Sequence, residues 1–463
     1  MFKKLMVIGI MVVLAGICYG ATWERTYPEL GISMARSICQ TRDKGYAFTG
    51  ITWLQSPGDL YIAKTDSLGN LLWHIILHRS DLTCGESIKQ TPDSGLIILA
   101  CDFSEPTCPH FWLIKTNAQG DTLWTKNYGA KATPYDLDIC LDSGYVMSGG
   151  RSIPGNNYAT YVIKTDKDGN LVWETTINTG DYGEGRSIKA LENGCIVLTD
   201  DFHLVKLDNN GNIIWEKIYE TEGWLHGFCM GLTTDGGYIL CGVKAINHLA
   251  AIEVIKTREN GEIEWKKFYT ENLDLFGLII WQSEGGYMLV GTRDLDTSVA
   301  NQYETLLFRL NENGDTLWTK TFQGPDHNCS PLSAVPTLDQ GSIMAGCTIP
   351  PDGFVRTYLI KTDSQGNVGV EERPVNNRLS PTVRVYPNPS WGIVWFETEN
   401  KKEIEITVFD ILGRKIAVGK TKNGNLRLDL SPGIYFWRTN KNQAGGKIIV
   451  IRAESQNRPQ LTR

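Results

Sequence analysis

Between residues 22 and 367 the apolar positions come in short runs of Val, Ile, Leu and Tyr, broken at regular intervals by Gly, Asp and Asn. Such runs predict short strands joined by tight turns rather than helices. The punctuation repeats. A stretch reading Ile/Val-Lys-Thr-Asp-x-x-Gly-Asn-x-x-Trp recurs seven times, beginning at Ala63, Ile114, Ile163, Val205, Ile255, Phe308 and Ile360. Its turn glycines are Gly69, Gly120, Gly169, Gly211, Gly261, Gly314 and Gly366, with gaps of 51, 49, 42, 50, 53 and 52 residues. A second anchor, Asp-x-Gly-Tyr before an apolar run, places Gly45, Gly95, Gly144, Gly194, Gly237, Gly286 and Gly341 in step with the first.

Each unit parses into four strands, a to d. In the second unit these are Ser87 to Thr91, Leu96 to Cys101, Phe111 to Thr116 and Thr122 to Tyr128. Asp, Asn and Gly fill the a–b and c–d turns because they tolerate positive φ and bond their own backbone. Four short antiparallel strands in a unit of about fifty residues are the mark of a propeller blade. The seventh unit lacks its tryptophan strand, and a spare one, Thr22-Trp23-Glu24-Arg25-Thr26-Tyr27, stands near the start of the chain. The expectation is that this strand completes the last blade and closes the ring, removing two exposed sheet edges. The tryptophans Trp23, Trp73, Trp124, Trp173, Trp215, Trp265 and Trp318 share one repeat position and are expected to pack between blades.

Composition adds boundaries. The 463 residues exceed one ordinary core, and 47 glycines and 14 tryptophans suit an all-β chain. A net charge of −7 without a basic run argues against a nucleic-acid partner. Residues 1–20 read as a signal peptide. Lys3 and Lys4 precede the apolar stretch from Leu5 to Ile17, and Cys18-Tyr19-Gly20 offers a cleavage site before Ala21. No later stretch is apolar enough to cross a membrane as a helix, so the mature chain is expected to leave the cytoplasm without a transmembrane segment.

After Gly366 the pattern changes. Residues 368–381, rich in Glu, Pro and Asn, read as a linker. Residues 382–453 alternate apolar and polar positions in six or seven short strands, as in a small Ig-like β-sandwich, and 454–463 form a tail. Three motifs stand in order in this part: Tyr386-Pro387-Asn388-Pro389, then Asp410 followed by Gly413-Arg414, then the Pro-Gly-Ile-Tyr-Phe strand with Gly433 and Tyr435. Together they resemble the type A C-terminal sorting domain of the bacterial type IX secretion system. The resemblance implies export across the outer membrane, a secreted or outer-cell-surface location, and the secretion machinery as a partner. The blade repeat is also loosely similar to the tryptophan-docking repeat of pyrroloquinoline-quinone propellers, but every copy departs from that spacing. No quinone is inferred.

Catalytic signatures are missing. None of the seven histidines stands in a zinc spacing, and no nucleophile elbow or phosphate loop appears, so no catalytic, cofactor or metal residue is assigned. Asp166 to Asn170 resembles the opening of a calcium loop but occupies a regular c–d turn, and is read as a plain hairpin. The variable b–c and d–a loops carry Trp53, Arg79, His110, Arg151, Asp181, Glu184, Trp224, His226, His248, Asp294, Asp326 and His327, and form the expected working face. Antiparallel register across the a–b hairpins sets Cys229 opposite Cys241, and Cys84 within one residue of Cys101, two candidate disulfides. The whole reads as a monomeric, seven-bladed β-propeller with a sorting sandwich behind it, a non-catalytic binding or structural module for a glycan or protein ligand. The alternative is a glycan-active hydrolase or lyase with a propeller active site.

Overall fold

The computed structural model describes residues 21–54, 58–79, 81–103, 109–129, 131–154, 157–178, 183–219, 225–246, 249–271, 273–295, 302–324, 328–350 and 352–369. In the C-terminal part it describes residues 383–386, 390, 392–398, 403–410, 414–439 and 445–450. The chain divides into two units, Met1–Gly369 and Val370–Arg463. Composition puts the linker from residue 368, but Val368 packs against the core around Phe322 and Met344, and Gly369 N–H donates to Thr22 Oγ1.

The first unit is a seven-bladed β-propeller of four-stranded antiparallel sheets. Blade 1 runs Ser33–Gln40, Tyr46–Thr52, Asp59–Thr65 and Leu71–Leu77 from the axis outward. The other inner strands are Thr83–Gln90, Ala132–Ile139, Gly185–Leu191, Leu225–Leu232, Leu275–Ser283 and Cys329–Pro336. Each touches the next, and the seventh touches the first, so the ring is closed. In blade 7 the outer strand is Trp23–Thr26, antiparallel to Arg356–Thr362, with Trp23 opposite Lys361 and Thr26 opposite Tyr358.

The repeated residues make the repeated contacts. In five blades the motif lysine (Lys64, Lys115, Lys164, Lys256, Lys361) reaches the a–b turn aspartate (Asp43, Asp93, Asp142, Asp235, Asp339) at 2.7–2.9 Å. Burial of these lysines is tolerable because each ammonium also donates to the carbonyl of the following threonine. The c–d turns close on their own side chains: Asp166 Oδ1 accepts the N–H groups of Asp168 at 2.9 Å and Asn170 at 2.7 Å, and Asp66, Asp208 and Asp363 do the same. The turn at Asp166 is therefore a plain hairpin.

All seven repeat tryptophans lie on the c–d turn glycine of the following blade. A Cβ on Gly69, Gly120, Gly169, Gly211, Gly261, Gly314 or Gly366 would stand 2.7–2.9 Å from the indole of Trp23, Trp73, Trp124, Trp173, Trp215, Trp265 or Trp318 respectively. Those glycines sit at φ between 71° and 92°, so only glycine meets both demands without strain.

The second unit is a sandwich of two sheets. One holds Val383–Tyr386, Ile393–Thr398 and Asn425–Asp429; the other holds Lys415–Lys420, Glu405–Asp410, Gly433–Thr439 and Gly445–Val450. Alternate residues point inward, giving a core of Val394, Phe396, Ile406, Val408, Trp437 and Ile448. Phe396 and Trp437 meet edge to face at 5.3 Å.

Candidate functional site

The inner strands of a propeller are sheet edges, and their unpaired N–H groups face a narrowing axis. Here side chains of the preceding blade satisfy several of them. Ser333 Oγ accepts from Ile38 N at 3.2 Å, Ser37 Oγ from Ile88 N at 3.1 Å, and Asp136 Oδ2 from Ile188 N at 3.1 Å. Asp136 also accepts from Ser87, Ser187 and Lys189. Burial pushes its carboxyl pKa up, but Lys189, Lys89 and these donors outweigh burial and hold it below the ordinary range.

Every inner strand carries one β-bulge, at the same place. Pairing with the second strand skips a residue after Ala35, Gly85, Pro134, Gly185, Gly227, Gly277 and Pro331. The residue before each bulge is small or a proline because the neighbouring blade presses there: a Cβ on Gly85 would meet Thr49, and one on Gly277 would meet Ile252. The bulge breaks the period-2 alternation and turns the extra side chain toward the axis. The seven bulged residues are Arg36, Glu86, Tyr135, Arg186, Phe228, Leu278 and Leu332. All seven line one central cavity of about 430 Å³, within the size range of small-ligand sites, about 300–1,000 Å³.

This ring has two halves. Blades 1 to 4 contribute Arg36, Glu86, Tyr135 and Arg186, whereas blades 5 to 7 contribute Phe228, Leu278 and Leu332. Arg36 Nη1 donates to both oxygens of Glu86, at 2.9 and 2.7 Å. The Arg186 guanidinium stacks 4.1 Å over Tyr135 and pairs with Glu184 at 3.2 Å and Asp200 at 3.4 Å. Tyr135 Oη donates to Glu184 at 2.7 Å. Burial pushes the Asp200 carboxyl up to about 6, against the pull of Arg186. Glu184 precedes an inner strand and Asp200 follows a second strand, so the ring lies at the end of the channel bearing the d–a and b–c loops.

Of the loop residues singled out by sequence, Glu184 belongs to this site. His226 stands beside it, 6.2 Å from the Phe228 ring, its pKa lowered by burial and by Arg186. Arg79 is tied to Asp102 at 2.6 Å and stacks over Trp112, and Arg151 stacks 3.5 Å over Tyr161. Trp53 is exposed, His110 opens the third strand of blade 2, and Asp294 ends a strand opposite Tyr303. Asp181, Trp224, His248, Asp326 and His327 lie outside the described residues. Sequence reading missed the bulged ring. Its signal is the Arg-Ser-Ile, Glu-Ser-Ile and Arg-Ser-Ile triplets at 36–38, 86–88 and 186–188. The same cause explains why the second inner strand begins at Thr83 rather than Ser87: the bulge at Glu86 hides its first half from a period-2 pattern.

Cys84 faces Cys101 and Cys229 faces Cys241, the first pair in direct register because of the bulge. All four are free thiols in the structure. Cys84 Sγ turns to Gly85 O and Cys229 Sγ to Met230 O instead of to the opposing sulfur. Among the described residues no group of three or more His, Cys, Asp and Glu side chains could hold a metal ion, and no helix is long and apolar enough to cross a membrane.

In the sandwich, Asp410 Oδ1 accepts the Arg414 N–H at 2.9 Å and Oδ2 accepts Arg414 Nε at 2.6 Å, which closes the hairpin between two strands. Tyr435 is buried and donates to Ser431 O at 2.8 Å, packed on Gly433, while Tyr386 is exposed. Pro387, Asn388, Pro389 and Gly413 lie outside the described residues, as do residues 1–20, where the sequence predicts a signal peptide, and residues 454–463.

Residues 384–452 match the secretion system C-terminal sorting domain family. No curated protein matches the chain. Among solved structures, the chain is similar to the Cps50 (Swd1) β-propeller domain of Myceliophteria thermophila, at 10% identity over 70% of this chain and 96% of that one, TM-score 0.47. It is similar to BamB of Moraxella catarrhalis at 11% identity over 70% and 82%, TM-score 0.40. A protein of unknown function from Bacteroides caccae matches at 14% identity over 51% and 81%, TM-score 0.36. The sorting domain makes this an exported chain that engages the secretion machinery and reaches the cell surface or the extracellular space.

Proposed function

We propose that the propeller is a monomeric, non-catalytic binding module, displayed or released by its sorting tail, that holds a glycan or protein ligand at the loop end of its channel. The carrying observation is the ring of seven bulged side chains, three apolar, three charged and one tyrosine, with its charged members held in ion pairs and hydrogen bonds within the wall or just behind it. Pre-organised groups of this kind recognise a ligand without reorganisation. A second reading, a glycan-active hydrolase or lyase, draws on Asp200 and Glu184, whose carboxyls pair with Arg186 immediately behind the cavity wall, that of Asp200 pushed up by burial to about 6.

The test is a glycan array and a peptide array probed with the full chain and with Leu278→Asp, followed by mass spectrometry of each bound compound. Binding that Leu278→Asp abolishes, with the ligand recovered intact, is the expected result. Recovery of a cleaved glycan establishes the enzyme reading, and binding indifferent to Leu278→Asp removes the channel from the account.

A further inference from the structure

The order of residues around the ring narrows the ligand class, given the binding role just proposed. The apolar arc Phe228–Leu278–Leu332 is flanked by an arginine at each end, Arg186 from blade 4 and Arg36 from blade 1. The two arginines are not equivalent. Arg186 is committed: it is stacked on Tyr135 and paired through Nη2 with Glu184 and Asp200. Arg36 is exposed, and among the described residues it bonds through Nη1 alone, to Glu86. Its Nη2 and Nε edge remains for a further acceptor, and a guanidinium edge matches the two oxygens of a carboxylate. Deeper in the same cavity stand Lys89 and Lys189. The cavity wall therefore carries four cationic side chains against the two carboxylates Glu86 and Asp136. Lys89 and Arg186 are balanced from behind the wall, Lys89 by Asp138 at 3.4 Å and Arg186 by Glu184 at 3.2 Å and Asp200 at 3.4 Å, so the open donor edge of Arg36, not an excess of positive charge, sets the preference for a carboxylate.

We infer that the channel mouth receives an apolar group bearing a carboxylate, its apolar part against Leu332, Leu278 and Phe228 and its carboxylate on the free edge of Arg36. The shared chemistry fits either a free aryl or alkyl acid or the carboxyl terminus of a peptide ending in an apolar residue. The apolar arc supplies non-directional attraction. Arg36 supplies orientation through its planar donor edge.

The test is isothermal titration of the full chain with four probes: 3-phenylpropionate, 3-phenylpropanamide, Gly-Gly-Phe and Gly-Gly-Phe-amide. Each acid is expected to bind at least tenfold tighter than its amide. Arg36→Gln should erase that preference. Leu332→Glu, at an exposed position outside every ion pair of the wall, should weaken the acids at least tenfold and leave the thermal midpoint unchanged. Tighter binding of the tripeptide acid identifies a chain terminus as the ligand, and tighter binding of 3-phenylpropionate a free acid; both support the inference. Equal affinity for acid and amide overturns it, as does acid binding untouched by both variants, or no binding of any probe. If the probes fail while an array ligand still depends on Leu278, the carboxylate assignment falls and the binding role stands.

Discussion

Gly314→Ala and Gly285→Ala, both in blade 6, separate two costs that usually arrive together. Both glycines have positive φ, 77° and 66°. Nothing lies within 4 Å of a Cβ built on Gly285, whereas one on Gly314 stands 2.8 Å from Cη2 and Cζ3 of Trp265. An alanine in the left-handed region costs roughly 1–2 kcal/mol at either site. At Gly314 the methyl must also regain an ordinary carbon–carbon separation of about 3.5–4.0 Å, which displaces the indole by about 1 Å. That movement weakens the Trp265 Nε1 bond to Glu312 O, now 3.0 Å, worth about 1 kcal/mol. It also disturbs the edge contact of Trp265 with Tyr287 at 5.7 Å, worth about 0.5–1.5 kcal/mol. The expectation is a loss of about 3 kcal/mol for Gly314→Ala against about 1 kcal/mol for Gly285→Ala. Denaturant unfolding followed by tryptophan fluorescence and circular dichroism measures both. In a Trp265→Leu background the excess at Gly314 should vanish, giving a coupling of about 1–2 kcal/mol in the double-mutant cycle. Equal losses in the wild-type background, or no coupling, would refute the view that the tryptophan–glycine contact locks one blade to the next.

Stability should pass through a maximum in mild acid. Asp200 is pushed up by burial to about 6 against the pull of Arg186, so between about pH 6 and 4 the folded state binds more protons than the unfolded chain and acidification stabilises it. Below about pH 4, Asp93 and Asp235, held near 2 by their lysines and turn N–H groups despite some burial, lose their contribution; the effect is small because both are well exposed. A thermal midpoint that rises steadily from pH 4 to 8 contradicts this assignment. Deleting residues 382–463 should abolish passage through the outer membrane and leave the propeller folded, read by cell fractionation and by an unchanged melting transition; surface delivery of the truncated chain would end the sorting account. On oxidation, Cys229–Cys241 and Cys84–Cys101 are expected to bridge, since facing residues lie within disulfide reach; non-reduced peptide mapping that finds all four thiols free after oxidation excludes it.

Local chemistry wrote much of this protein into the chain. The count of blades follows from seven turn glycines, because a left-handed turn with an indole resting on it accepts no other residue without strain. The spare Trp23 strand was legible for the same reason, and the sorting motifs through their resemblance to a known family, with Asp410 and Arg414 closing a hairpin between neighbours in sequence. The channel was not legible. Arg36, Glu86, Tyr135, Arg186, Phe228, Leu278 and Leu332 share no residue type, and the bulge that turns them inward interrupts the alternation that would reveal their strand. Their meeting requires the ring to close, which brings residue 332 beside residue 36 and sets a charged half of the wall against an apolar one. Sequence order fixes what each blade is, by interactions a few residues long. Only the circular arrangement of the blades decides which side chains share the axis, because that proximity spans hundreds of residues and leaves no local trace.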